Sequence, residues 1–318
     1  MLQFKHIPVM LNEVLEGLNI NPSGTYVDGT VGGGGHSFEI AKRLNKNGKL
    51  ICFDRDENAI KASKERLKEF DNVVFVQDNF HNAPQRLEEL GIDKIDGVLL
   101  DLGVSSHQID EGERGFSFLH DGKLDMRMDR TQKLSAFEVV NEYSKEKLLK
   151  ILYAYGEENN AKNIVNKIVE ARKQKPIETT FALKDIVESA FPKKVIYGKG
   201  GVCKKTFQAI RIEVNGELDG LREVIDALVE KLSTKGRFAI LTFHSLEDRI
   251  VKEGFKEAIT GCICPPKTPI CICGHKPKGV LVNRKPIVAT EEELANNSRS
   301  SSAKLRVLEK LWFVEKYI

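Results

Sequence analysis

The stretch from Thr25 to Ser37, Thr-Tyr-Val-Asp-Gly-Thr-Val-Gly-Gly-Gly-Gly-His-Ser, constrains the fold more than any other part of the chain. An apolar strand end runs through a carboxylate, Asp28, into a glycine loop and then into an amphipathic helix. Glycines let backbone approach a ligand without side-chain clash and tolerate positive φ, and the free N–H groups opening the next helix face back toward the loop. The pattern is that of a nucleotide-type cofactor pocket. The dinucleotide fingerprint G-x-G-x-x-G does not fit it: from Gly32 the third glycine falls on Ser37, and from Gly33 on Phe38. A nicotinamide dehydrogenase is therefore disfavoured. An acid ahead of the loop suits a ligand carrying positive charge, or ribose and amino donors, better than a pyrophosphate, and S-adenosyl-L-methionine is a ligand of that kind.

Further strands repeat the arrangement. Lys49–Asp54 is a short apolar run ending in an acid and followed by a helical period, which places Asp54 at the carboxyl end of a second parallel strand, where it can accept both hydroxyls of an adenosine ribose. Val73–Asp78 leads to Asn79-Phe80, and Ile95–Asp101 ends in another acid. Taken singly each acid reads as a solvated strand end. Taken in this order they line one edge of a sheet with ligands.

Strand and helix patterns alternate up to Asp101 and resume at Gly216–Lys235, whose Leu218, Leu221, Val224, Ile225, Leu228, Val229 and Leu232 share a helical face, followed by the strand Arg237–Phe243. Between them Ser135 with Glu138, Ser144 before Lys147, and Thr180 before Phe181 signal helix starts. The expectation is an α/β core over 1–111 and 211–318 with an all-helical domain inserted at 112–210. Two further strands are expected at Val280–Val288 and Leu305–Val314. With 318 residues, 41% hydrophobic and 30% charged, the chain has the makeup of an ordinary globular protein, and its net charge of +3 does not by itself announce a nucleic-acid partner. Neither a signal-peptide core nor a membrane-length apolar run occurs, so a cytoplasmic protein with no membrane partner is expected.

Six blocks carry a resemblance over essentially the whole chain: Asp28–Ser37, Asp101-Leu-Gly-Val-Ser-Ser106, Glu113-Arg-Gly-Phe-Ser-Phe118, Leu124-Asp-Met-Arg-Met-Asp129, Thr206-Phe-Gln-Ala-Ile-Arg211 and Phe243-His-Ser-Leu-Glu-Asp-Arg249. Together they resemble the bacterial small-subunit ribosomal RNA cytosine-N4 methyltransferases. The resemblance implies a Rossmann-like class I methyltransferase sheet with an inserted helical substrate-recognition domain. It further implies S-adenosyl-L-methionine as donor, and as acceptor a cytosine in the decoding region of 16S rRNA, within the small ribosomal subunit or a late assembly intermediate. The oligomeric state stays open, a homodimer included. It also implies cofactor contacts at Gly34, Gly35, His36, Asp54, Phe80, Asp101 and Gln108, to which the residue pattern adds Asp28. The chain departs from the family at His107 and Lys123, where proline is usual, and at Lys205, where arginine is usual; the first loosens the loop before Gln108, and the last keeps a charge but loses a bidentate fork.

Methyl transfer from a sulfonium needs neither a metal nor a covalent enzyme intermediate, only in-line placement and a competent acceptor. An exocyclic cytosine amine is a poor nucleophile, and groups that accept its N–H bonds assist it. Asp101, with Ser105 in the following loop, stands where amino-methyltransferases keep such acceptors; the other reading gives Asp101 to the donor's amino group. Methylation at carbon 5 would instead need a cysteine nucleophile, usually after a proline, and none of the six cysteines follows one. The Asp/Ser/Asn-Pro-Pro-aromatic loop of DNA amino-methyltransferases is absent at Asp101-Leu-Gly-Val104. A non-enzymatic RNA-binding assembly factor would keep the basic segments but have no need of the strand-end acids.

For RNA, Lys193, Lys194, Lys199, Lys204, Lys205 and Arg211 run without an intervening acid, the pattern of a loop that tracks phosphates; His244 and Lys304 are further candidates, although a lone histidine is more often structural. Cys262-x-Cys264 and Cys271-x-Cys273 form a knuckle-like set of four thiols that reads either as a zinc staple or as reduced loop cysteines.

Overall fold

The computed structural model describes residues 8–196, 201–265, 268, 270 and 272–312. Eight strands form one sheet: β1 (Thr25–Asp28), β2 (Lys49–Asp54), β3 (Val73–Gln77), β4 (Ile95–Asp101), β5 (Leu232–Thr242), β6 (Gly279–Leu281), β7 (Ile287–Val288) and β8 (Lys304–Lys310). Their order is β3-β2-β1-β4-β5-β8-β6, with β7 also on β8. The first five pair in parallel and β8 enters antiparallel to β5, which is the class I methyltransferase arrangement expected above. Alternation along each strand builds two cores. Val27, Ile51, Phe53, Val98, Leu100, Phe238 and Ile240 join one buried cluster, while Tyr26, Leu50, Cys52, Leu99, Ala239 and Leu241 join the other. Helices cover both faces, which is why these strands read as continuous apolar runs.

The chain divides into two compact units, Met1–Gly103 with Asp219–Ile318, and Val104–Leu218. The expected boundaries at 111/112 and 210/211 therefore shift. Lys204–Asn215 is one unbroken helix whose Phe207, Ala209, Ile210 and Val214 belong to the helical unit's own core, so a border at 211 would have split it. The helix expected over Gly216–Lys235 is shorter, Leu221–Lys231. Gly216 and Gly220 sit at φ of 57° and 71°, capping the helices on either side, and Lys235 at φ 65° belongs to an irregular entry into β5. The strand expected at Val280–Val288 is two short ones, β6 and β7, and β8 ends at Lys310, Val314 lying outside the described residues.

In the helical unit the expected caps at Ser135 and Ser144 are present, Ser135 with Glu138 as a capping box. The third start is one residue earlier than read: Thr179 caps, its hydroxyl accepting from the Ala182 amide at 3.2 Å, while Thr180 is buried and donates to the His120 carbonyl at 2.8 Å. Arg114, 1% exposed, donates to the carbonyls of Arg127 and Met128. Asn215 accepts from the Met128 amide at 2.8 Å and donates to the Met126 carbonyl at 2.7 Å. Two of the six sequence blocks, Glu113–Phe118 and Leu124–Asp129, thus meet as internal bracing. Among the described residues no helix is long and apolar enough to cross a membrane.

Candidate functional site

The strand ends of the sheet-bearing unit bring together Asp28, the glycine loop, His36, Asp54, Phe80 and Asp101. The loop turns because Gly34 adopts φ 75° as it opens the helix Gly35–Ala41, a conformation that side chains rarely tolerate. Gly29 is required for a different reason: a Cβ there would lie 2.3 Å from Leu100 Cδ2 and 3.0 Å from Phe80 Cβ. The Gly33 carbonyl accepts from the Arg66 guanidinium at 2.9 Å, fixing the loop from behind.

The four acids here do different work. Asp28 is 1% exposed and accepts from Ser37 Oγ at 2.6 Å and from the Thr30 amide at 3.0 Å, so it braces the loop, a correction to its expected place among the cofactor contacts. Asp54 accepts from the Gly32 amide at 2.9 Å and from the Asp56 amide at 2.9 Å. Those bonds hold its carboxylate at the strand end, partly open and able to take ribose hydroxyls on its remaining lone pairs. Asp101 is held through its own amide, which donates to Thr30 Oγ1 at 2.7 Å, and one carboxylate oxygen lies 3.7 Å from His36 Nδ1. His36 Nε2 is 3.0 Å from the Val9 carbonyl, a contact that fixes the orientation of the ring. Glu247, buried and unnoticed in the sequence, is the fourth acid: it accepts from the Phe243 amide at 2.8 Å and its charge reaches Asp101.

Burial pushes the carboxyls of Asp28 and Asp54 up to about 6. Burial, with the neighbouring charges of Asp28 and then Glu247, pushes Asp101 up to about 8 although its side chain is 23% exposed. A cluster of acids that resist ionisation is what a cationic ligand relieves. A methyl donor bearing a sulfonium and an ammonium fits that chemistry: Asp54 would take the ribose and Asp101 the positive methionine end. Phe80 opens a short 3-10 turn beyond β3, and its ring stacks on His81 at 4.3 Å and 26°. His81 Nδ1 donates to Asn79 Oδ1 at 2.6 Å, and burial, with Arg55 nearby, drops its pKa to about 4, so a neutral ring backs Phe80. His81 and Glu247 were both missed; Glu247 had a signal, being the fourth residue of a His-x-x-Glu box.

Several expected roles change. His244 caps the helix Ser245–Ile259, accepting from the Glu247 amide at 3.4 Å, with Nε2 3.1 Å from Glu247 Oε1; it is a capping residue in place of an RNA contact. Ser105 and Gln108, in the helical unit, likewise form a capping box: Ser105 Oγ accepts from the Gln108 amide at 3.2 Å and Gln108 Oε1 from the Ser105 amide at 3.0 Å. A catalytic hydroxyl at Ser105 is therefore withdrawn, and Gln108, 4% exposed, holds the turn. The Ser-x-x-Gln spacing carried that signal.

Arg211 grips Glu217 through two 2.8 Å bonds, and Lys304 lies 3.2 Å from Asp248, so both are engaged within the fold in place of phosphates. Lys193, Lys194, Lys204 and Lys205 are exposed, Lys205 also donating to the Glu157 carbonyl at 2.9 Å; Lys199 lies outside the described residues. Burial, reinforced by Asp28, keeps the Cys52 thiol well above its ordinary value, and burial with Glu188 pushes Cys203 up to about 12, so neither is poised as a nucleophile.

The MraW methylase family matches residues 3–311. The chain is 54% identical to the ribosomal RNA small subunit methyltransferase H of Finegoldia magna, over 98% of this chain and 100% of that protein. It is 53% identical to the protein of the same name from Lachnospira eligens, over 98% and 99%, and 54% identical to one from Clostridium botulinum strain Kyoto, over 98% and 100%. A family match over nearly the whole chain, on a sheet with this glycine loop and these strand-end acids, means that the chain belongs to the MraW methylase family and is a class I methyltransferase that uses S-adenosylmethionine.

Proposed function

We propose that the enzyme methylates N4 of a cytosine in the decoding region of 16S ribosomal RNA, acting in the cytoplasm on the small subunit or a late assembly intermediate. The observation that carries this reading is Asp101: a carboxyl at the end of β4, positioned by Thr30, flanked by His36 and Glu247, and held up to about 8 by burial and like charge. A cation beside such a group favours the ionised state that the site by itself resists, and the charges of Asp28 and Glu247 attract it as well. Asp101 therefore receives the donor's ammonium, Asp54 its ribose hydroxyls, and Phe80 lies along its adenine. The sulfonium, when bound, supplies an activated leaving group. The rest of the reaction is placement of an exocyclic amine in line with the methyl group.

The acceptor is assigned to an amine because the thiol route to carbon 5 is unsupported: Cys52 and Cys203 are buried and hard to ionise. Lys193, Lys194, Lys204 and Lys205 of the helical unit supply sequence-independent affinity for phosphates, which gives that unit its role in substrate recognition. The names of the relatives, all ribosomal RNA small subunit methyltransferase H, support the substrate. The test is incubation with labelled S-adenosylmethionine and unmodified small subunits, with mass spectrometry of the labelled nucleoside. N4-methylcytosine is expected. A 5-methylcytosine product, or a covalent complex trapped with 5-fluorocytosine RNA, overturns the mechanism, and binding without transfer would return the chain to the assembly-factor reading.

A further inference from the structure

The loop between the helix Ser245–Ile259 and β6 carries none of the residues assigned above to the methyl-transfer site, and among its described residues hydrophobic burial does not hold it. Ile263, Ile270 and Ile272 are 60%, 76% and 83% exposed. Its neck is closed by polar contacts, His275 Nδ1 lying 3.0 Å from the Gly261 carbonyl and the Lys278 amide donating to the Ala258 carbonyl at 2.7 Å. Inside the loop three thiols converge. The sulfurs of Cys262, Cys264 and Cys273 all lie within 4.8 Å of one another, while Ile263 and Ile272, the middle residues of the two C-x-C pairs, are among the exposed isoleucines.

We propose that Cys262, Cys264 and Cys273 form a structural zinc site that staples this loop. Zn–S bonds of about 2.3 Å at the tetrahedral angle set neighbouring sulfurs about 3.8 Å apart. Cys262 and Cys273 have their sulfurs 3.8 Å apart, far beyond the roughly 2.05 Å of a disulfide. Soft thiolates at tetrahedral spacing select zinc over the hard divalent cations. Gly274, at φ 62°, turns the chain directly after Cys273. Cys271, the remaining thiol of the pattern, lies outside the described residues. The cross-link supplies what burial does not: a fixed conformation for a loop whose apolar side chains face water.

The experiment uses untagged full-length protein, purified reduced and without chelator from cells grown with added zinc. Elemental analysis is expected to find about one zinc per chain, and cobalt exchanged into the site should give a sulfur-to-cobalt charge-transfer band with intense visible ligand-field bands. The double variant Cys262→Ser/Cys273→Ser should lose the metal and the cobalt spectrum while keeping its circular dichroism and donor affinity. Cys52→Ser should keep both metal and spectrum. Sub-stoichiometric zinc in the wild type, cobalt without thiolate bands, or zinc retained by the double variant would each overturn the assignment. The wild-type cobalt spectrum decides the matter even if the variant fails to fold.

Discussion

The helical unit and the strand-end site handle buried charge in opposite ways. In the helical unit, charge is matched. Burial alone would raise Asp125, but the Arg127 guanidinium, bonding it at 2.7 and 3.0 Å, holds it below the usual carboxylate range; Arg211 and Glu217 clasp each other, and Arg114 spends its guanidinium on carbonyls. At the strand ends of the sheet-bearing unit Asp28 and Asp54 take backbone or hydroxyl donors, Asp101 has the like charges of Asp28 and Glu247 beside it, and burial raises all three. Matched charge there would make a better-satisfied protein and a poorer receptor for a cationic donor. The helical unit meets its buried carboxylates with guanidinium groups of its own, whereas the strand-end acids are left in a state that a cation would relieve.

The largest effect that could break this contrast is at Asp54. Two charge-assisted bonds to ribose hydroxyls, each worth roughly 1.5–3 kcal/mol, make Asp54→Ala cost about a hundredfold or more in donor affinity. Calorimetry on the folded variant checks it, and an unchanged dissociation constant removes Asp54 from the pocket. In the helical unit the matching experiment is Glu217→Gln, which removes the ion pair of Arg211, whose side chain is only 16% exposed. A loss of roughly 3 kcal/mol of unfolding stability is expected, at the low end for a broken buried pair because Arg211 keeps some solvent, with donor binding little changed. Denaturant melts that do not move would show that the pair contributes nothing.

A third experiment sharpens the contrast through pH. Asp101 binds its proton more tightly folded than unfolded, so its contribution lowers the stability of the donor-free protein as pH rises from 3.8 to about 8; Asp28 and Asp54 act likewise up to about 6. Asp125 and Glu138, held low, give stability that is present at neutral pH and is lost as pH falls below their ordinary values. Hydrogen exchange at several pH values should therefore show the strand ends at Asp28, Asp54 and Asp101 weakening as pH rises and the segment around Asp125 and Glu138 weakening as it falls. If ionised Asp101 pairs with the donor's ammonium as proposed, donor binding at pH 7 should release protons, and affinity should rise with pH by at most about tenfold per unit until near 8. Asp101→Asn should flatten that rise and weaken donor binding first. If instead only the chemical rate falls, Asp101 belongs to the acceptor amine.

The smallest effect concerns the helical unit's exposed lysines. Lys204→Gln with Lys205→Gln should reduce the salt slope of RNA affinity by about two at most and leave donor binding alone. An unchanged slope with unchanged affinity would make them a solvated face.

Much of the sheet was legible because parallel strands covered on both faces must be apolar throughout and end where the chain turns to solvent or ligand. The runs ending at Asp28, Asp54 and Asp101 fell on β1, β2 and β4 for that reason. The helix starts at Ser135 and Ser144 were legible because a cap is a local bond between residues a few places apart. Ser105 and His244 carried the same local signal, yet their position near strand ends invited a chemical reading. The Ser-x-x-Gln and His-x-x-Glu spacings should have outweighed it.

Sequence by itself determined the parallel strands, the glycine turn at a φ that side chains rarely tolerate, and the cofactor class that follows from acids preceding and succeeding it. Each depends on neighbours within a few positions or on the period of apolar residues. Tertiary structure alone decided which charges are spent and which are kept. Arg211 meets Glu217, Lys304 meets Asp248, and Glu247 comes close enough to raise Asp101 across more than a hundred residues of chain. Ionisation depends on burial and on distance through space, and neither is written in the order of the residues.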